Sequence, residues 1–150
     1  MSEENIALLR RAVDAYNRRD IPALLEELDP QVSWHPALPA LLSKGVEVYR
    51  GHEGITRMFG DFSEVLDEIH FEYWEVRDHG DRVAAIGQLR TKGKVSGAET
   101  VAPYANLAEI RDGKGVRITG YLDPAEALED LKLANLESGS GSHALSDGGA

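Results

Sequence analysis

Apolar residues Ile6, Leu9, Val13 and Tyr16 recur at steps of three and four, which lays one apolar stripe along an amphipathic helix from about Glu3 to Arg19. Asp20 is placed to cap a second, shorter helix. Its first turn accepts Pro22, Leu24, Leu25 and Leu28 give it an apolar side, and Asp29-Pro30 ends it. Val32 and Trp34 then alternate with Ser33 and His35, the period of a short strand, and Pro36, Pro39 and Gly45 bracket a loop. Val46 to Tyr49 reads as extended chain. Gly51 to Gly54 opens a third helix in which Ile55, Met58, Phe59 and Phe62 share a face, Gly60 is a weak point, and the pattern fades near Val65 or Leu66.

From Ile69 the period changes from 3.6 to 2, and four strand-like runs follow: Ile69 to Arg77, Arg82 to Lys92, Thr100 to Arg111 and Val116 to Leu122. The segments between them, Asp78-His79-Gly80-Asp81, Gly93 to Gly97 and Asp112-Gly113-Lys114-Gly115, carry the Gly and Asp chemistry of hairpin loops. They predict an antiparallel meander. Asp123 as N-cap, Pro124 at the first helical position and Glu126 three residues after the cap open a closing helix, with Ala127, Leu128, Leu131 and Ala134 on its buried side. From Ser138 the chain turns to Ser and Gly, too polar to offset its own ordering entropy. The division expected is a domain over 1–137 and a flexible tail over 138–150.

Composition narrows the function classes. One domain of 150 residues can bury about 70% of the surface its unfolded chain exposes, enough for a core and a pocket. There is no cysteine, so thiol chemistry and disulfides are excluded. The net charge of -10, with no basic stripe, argues against nucleic acid and anionic membrane as partners. No apolar run reaches the roughly 18 residues of a membrane span. The acidic start, Met1-Ser2-Glu3-Glu4-Asn5, is unlike a secretory signal, and the cytoplasm is the expected location.

Three stretches carry a family resemblance: Ala15-Tyr16-Asn17-Arg18-Arg19-Asp20-Ile21, Tyr49-Arg50-Gly51, and Arg111-Asp112-Gly113-Lys114 followed by Tyr121-Leu122-Asp123-Pro124-Ala125-Glu126-Ala127-Leu128. In this order and spacing, over about Glu3 to Glu137, the chain resembles the SnoaL-like branch of the nuclear transport factor two-like superfamily. The resemblance implies an α+β fold in which a curved antiparallel sheet wraps around N-terminal helices, forming a cone with an interior pocket. It also implies a homodimer through the convex sheet face. It does not fix an activity, because that superfamily includes isomerases, epoxide hydrolases, dehydratases, polyketide cyclases and proteins without chemistry.

The resemblance also indicates where relatives keep their acid and base groups. Matched to the ketosteroid isomerase pattern, the tyrosine falls at Ala12, the base at Pro36 and the acid at Ala105, and a one-residue slip would bring in His35. Matched to the limonene epoxide hydrolase and SnoaL-type pattern, the last-strand aspartate falls at Gly120. Arg90 takes the arginine of an Arg-x-Asp element, and Lys92 stands in place of its aspartate. Asp123 is explained by capping.

The polar and aromatic groups left for a pocket are Tyr16, Trp34, His35, Tyr49, Phe59, Gln88 and Arg90, with His70 or Tyr73 beside them. Each also has a plainer role. The aromatic rings pack in a core with their hydroxyls at its rim. His35 is either a solvated loop histidine or a general base. Strand alternation puts Arg90 with Ala84, Ile86 and Gln88, where it meets either an anionic ligand or a glutamate of an adjacent strand.

Other sites are not expected. The five histidines, His35, His52, His70, His79 and His143, lack two-ligand spacing, so no metal is predicted, and no cofactor motif is present. The acidic group Glu64, Asp67, Glu68, Glu72 and Glu75 reads as a solvated face. Three functions follow as expectations. The first is a domain that binds a small apolar or aromatic molecule in its cone without the usual acid and base residues. The second is a cofactor-independent cyclase, isomerase or dehydratase built on His35 and Arg90, and the third is a non-catalytic dimerisation module.

Overall fold

The apolar stripe near the N-terminus forms helix α1, Ser2–Arg18, in the computed structural model, which describes residues 2–37 and 45–140. Leu8, Leu9, Val13 and Tyr16 are buried along it. The helix stops where Arg19 turns left-handed (φ 56°), with the Asp20 N–H bonded to the Ala15 carbonyl and the Arg19 N–H to that of Tyr16. These two bonds satisfy carbonyls that the helix end leaves orphaned. Asp20 then caps α2, Ile21–Glu26, its carboxylate accepting from the Ala23 N–H at 3.2 Å, and Pro22 lies in the first turn, where no N–H is required.

Strand β1, Leu28–His35, begins earlier than the residue pattern predicts. Leu28 belongs to this strand and not to the apolar side of α2, and Asp29-Pro30 lies inside it. Proline is tolerated there because pairing is irregular between Leu28 and Ser33, so Pro30 withholds no ladder bond. A short β2, Tyr49–Arg50, leads into α3, Gly51–Val65, as the glycine signal predicts, with Ile55, Met58, Phe59 and Phe62 buried on one face. The loop proline Pro39 lies outside the described residues.

The meander is as predicted: β3, Leu66–His79; β4, Arg82–Gly93; β5, Glu99–Arg111; and β6, Lys114–Tyr121, each antiparallel to the next. The pairing of β1 with β6 is parallel and joins chain segments about eighty residues apart, so the six-stranded sheet runs β2-β1-β6-β5-β4-β3. No local pattern announces that contact. Gly87 is required on β4, because a Cβ there would stand 1.9 Å from the Glu72 carbonyl oxygen, beside the bulge between Tyr73 and Glu75.

The inner face of the sheet and helices α1, α2 and α3 share the main core, which includes Val32, Trp34, Phe71, Val83, Ala85, Leu89, Tyr104 and Ile118. Asn17 clamps α1 to β3. Its Nδ2 donates to the Phe71 carbonyl at 2.9 Å, and its Oδ1 accepts from the Phe71 N–H at 2.8 Å. On the outer face a second core packs Ala84, Ile86, Ala105 and Leu107 against Ala127 and Leu131 of helix α4, Pro124–Ser140. Asp123 serves as its cap, accepting from the Ala125 N–H at 3.0 Å. Helix α4 extends beyond the expected domain end at Glu137. The Ala134 side chain, and the tail residues from 141 on with His143, lie outside what the structure describes.

Candidate functional site

Alternation along the strands decides which side chains reach the cone interior. On β5 the inner residues are Tyr104, Asn106 and Ala108, and on β1 they are Val32 and Trp34. Together with Tyr16 of α1 they build a polar spot in an apolar wall. The Tyr16 and Trp34 rings stack at 5.9 Å with 10° between planes, and Phe59 tilts against Tyr16 at 5.5 Å. This stack divides the interior into two small cavities. One, of about 30 Å³, is lined by Leu8, Val13, Tyr16, Trp34, Phe71 and Asn106 among others. The other, of about 20 Å³, lies toward the mouth between Tyr16, Trp34, Pro36, Ala37, Tyr104 and Leu122. Each has room for a water or two.

Three polar groups face these cavities. The Tyr104 hydroxyl donates to Asn106 Oδ1 at 3.1 Å, which links one cavity to the other. The Tyr16 hydroxyl has no hydrogen-bond partner among the described residues, although the residue is 7% exposed. Burial holds its pKa well above that of a free tyrosine, with neighbouring Tyr104 adding to the effect, and burial raises Tyr104 as well. Both hydroxyls are therefore protonated donors at any physiological pH. The Tyr104 hydroxyl occupies the space that a side chain at position 120 would need. A Cβ on Gly120 would lie 2.4 Å from it. The position where the resemblance expected an aspartate thus holds a phenol supplied from the next strand.

The other expected site residues fall elsewhere. Ala12 lines the inner cavity and Pro36 the mouth, as the resemblance implies. Ala105 does not. It lies on the outer face beneath α4, and its neighbours Tyr104 and Asn106 face inward in its stead. Tyr49 is buried away from both cavities, donating its hydroxyl to Asp61 at 2.7 Å. Tyr73 packs on Phe71 at the edge of the inner core, and His70 is exposed.

The proposed pair of His35 and Arg90 is not assembled. Both residues point to the outer face, on strands separated by β6 and β5. Trp34 takes the inward position of β1, so adjacent His35 must face out, where it meets Ser33 Oγ at 3.2 Å. Burial, then Arg117 and Arg50, lower its pKa to about 4. Arg90 is half-exposed and lies 3.6 Å from Glu72 on adjacent β3, and Gln88 donates to the same carboxylate at 2.9 Å. The glutamate partner, rather than an anionic ligand, is what Arg90 finds. Ala84 and Ile86 misled the sequence reading because they are apolar for the sake of α4 and not of the cone. Tyr104 and Asn106 were missed, although their i, i+2 spacing on a strand was visible. Among the described residues no group of three His, Cys, Asp or Glu could hold a metal ion.

Residues 9–118 match the family model described as a SnoaL-like domain. Among solved structures, an NTF2-like protein of unknown function from Burkholderia pseudomallei superposes with a TM-score of 0.73 at 22% identity, covering 85% of this chain and 97% of that one. The structure of TerC co-crystallised with polyporic acid gives 0.73 at 24% identity, again covering 85% and 97%. A candidate polyketide cyclase from Xanthomonas campestris gives 0.70 at 18%, covering 86% and 97%. At these identities the likeness concerns the fold. No curated protein matches the sequence significantly.

Proposed function

The chain belongs to the SnoaL-like domain family, and from that premise we propose that it binds a small, largely apolar or aromatic molecule in its cone, orienting one ligand oxygen at Tyr16 and Tyr104. The observation that carries this reading is the buried Tyr16 hydroxyl without a partner, set among apolar side chains beside a second phenol. An unpaired buried hydroxyl costs about 1–3 kcal/mol, which a carbonyl or hydroxyl oxygen of a ligand recovers. That TerC, similar in fold, was co-crystallised with polyporic acid supports the choice of that compound as a first probe.

Binding is favoured over proton transfer by the same geometry. General acid catalysis works best with a pKa near the working pH, and burial drives both phenols away from it. The constellation of His35 and Arg90 that an enzyme reading would have used lies on the other face of the sheet. The cavities, about 30 and 20 Å³, are far below the roughly 300–1,000 Å³ of a ligand pocket, so binding entails widening the mouth near Pro36, Ala37 and Leu122. A second copy of the chain is proposed to dock on the exposed side of the sheet, where Trp74 and Val101 are 65% and 54% exposed. Sedimentation at several concentrations tests that.

The experiment for the cone is Tyr16→Phe in a thermal-shift and calorimetric screen of aromatic, polyketide-like compounds that includes polyporic acid. Removing an unsatisfied hydroxyl raises the melting temperature of the free protein or leaves it unchanged. It weakens the bound compound by roughly tenfold, the worth of one hydrogen bond. No stabilisation of the wild type across a broad library, or a compound that binds Tyr16→Phe equally well, contradicts the reading.

A further inference from the structure

A cavity larger than both of those in the cone lies outside it. It is an open-sided cleft of about 580 Å³ at the opposite end of the strands, between the first turns of α1 and the β3–β4 and β5–β6 hairpins. Leu8 and Ile110 supply its apolar lining, and Glu4, Asp81, Asp112 and Arg11 its charges. The Asp81 carbonyl accepts from the Ile110 N–H at 2.8 Å, which holds the two hairpins together. Gly80, Asp112 and Gly113 are all left-handed, with φ of 66°, 54° and 75°, and a Cβ on either glycine would meet nothing within 4 Å.

The charges do not cancel within the cleft. Arg11 is held by Glu27, outside it, through a two-pronged contact of 2.9 and 3.0 Å, so its guanidinium is already neutralised. Two carboxylates of the cleft, those of Asp81 and Asp112, have no partner among the described residues. A second observation is independent of charge. Asn5 lines the cleft with its residue only 9% exposed, and its carboxamide has no hydrogen-bond partner among the described residues. A buried amide in that state is a ready acceptor for a donor brought by a ligand.

We propose that this cleft binds an organic cation, a primary ammonium or guanidinium head on a short alkyl stem, with Asn5 and the carboxylates of Asp81 and Asp112 receiving the head and Leu8 and Ile110 packing the stem. A bare metal ion does not suit a cleft of this volume, and the acids do not converge into a metal-binding group. The head comes either from a free amine or from a lysine or arginine of a partner, and the chemistry of recognition is the same.

The test is a titration of the full chain with 1,4-diaminobutane and, separately, with a neutral-capped Gly-Lys-Gly peptide, followed by backbone amide NMR at low salt. The expected result is saturable shifts at Asn5, Gly80, Asp81 and Gly113. Asp81→Asn with Asp112→Asn weakens them by roughly two- to fivefold per carboxylate, the worth of an exposed ion pair. These variants fold, because Asp81 is exposed and asparagine accepts the left-handed conformation of position 112. Asn5→Leu abolishes the remainder. Tighter binding of the diamine assigns a free amine, and tighter binding of the peptide assigns a partner's side chain. Shifts spread over the acidic stretch from Glu64 to Glu75, shifts that the double variant leaves unchanged, or no shift with either probe overturns the proposal.

Discussion

The two faces of β4 are one residue apart in sequence and differ in what covers them. Val83, Ala85 and Leu89 point inward and share the main core with α1 and α3, while Ala84 and Ile86 point outward and are buried only because α4 lies on them. Beyond that patch the outer face ends in solvent at Gln88 and Arg90, whereas the inner face continues into the cone wall at Leu89. Apolar character therefore marks a covered strand position without saying which layer covers it. Chemistry is sorted by the same rule, since inward positions hold phenols and an amide and outward positions hold charges tied to one another.

Truncation on β3 gives the strongest way to break that contrast. Phe71 is inward, 2% exposed, and packs its ring at 5.2 Å edge-on to Tyr104, and its backbone is the one clamped by Asn17. Phe71→Ala removes about 3–5 kcal/mol by transfer and cavity terms. Trp74, three residues on, is 65% exposed, and Trp74→Ala changes monomer stability by less than about 0.5 kcal/mol. Urea denaturation of the two variants checks this. Comparable losses in both would mean that the faces are not as distinct as described.

The sequence carried the elements well and their sidedness poorly. Periodicity, the Asp20 and Asp123 caps and the glycine turns located all four helices and all four meander strands, because those signals are local. Two things were not local. The parallel pairing of β1 with β6 joins distant segments, and it is this pairing that sets Trp34 inward and His35 outward. The coverage of β4 and β5 by α4 made Ala84, Ile86 and Ala105 look like cone residues. Resemblance then pointed to Ala105 and Gly120 as missing acids, when the adjacent register position, Tyr104, fills the space beside Gly120. One residue of strand parity decides whether β5 offers the cone Ala105 or the Tyr104 phenol and the Asn106 amide.

His35 offers a smaller and more specific test of the outer assignment. Its folded pKa of about 4 lies below the ordinary 6.5, through burial and then the charges of Arg117 and Arg50. Between those two values the unfolded chain binds a proton that the native chain does not. Stability contributed by the neutral ring is therefore present above pH 6.5 and is lost as pH falls toward 4. Because the ring is only half-buried, the loss is on the order of 1 kcal/mol, or roughly 2–4 °C in melting temperature. His35→Gln removes this component. The check is the difference between wild-type and variant melting temperatures from pH 7.5 to 4.5, which narrows as the pH falls. A cone ligand leaves that pH dependence unchanged, since the ring does not face the cone.

The smallest expected effect is the most discriminating. Arg90 is the residue that a sequence reader would mutate first, since it matches a relative's arginine and sits among apolar neighbours. In the structure its guanidinium lies 3.6 Å from Glu72, with both side chains about half-exposed, and Glu72 keeps a second partner in Gln88 at 2.9 Å when Arg90 is gone. An exposed pair at that distance contributes between nothing and about 1 kcal/mol, and no buried charge is stranded by removing it. Arg90→Ala therefore leaves stability within about 0.5 kcal/mol and leaves the affinity for any cone ligand unchanged, where Tyr16→Phe weakens it. Calorimetry of one ligand against both variants reads the two faces side by side. Loss of binding in Arg90→Ala with retention in Tyr16→Phe would reverse the inner and outer assignment of the whole sheet, because strand parity does not let one residue change face alone.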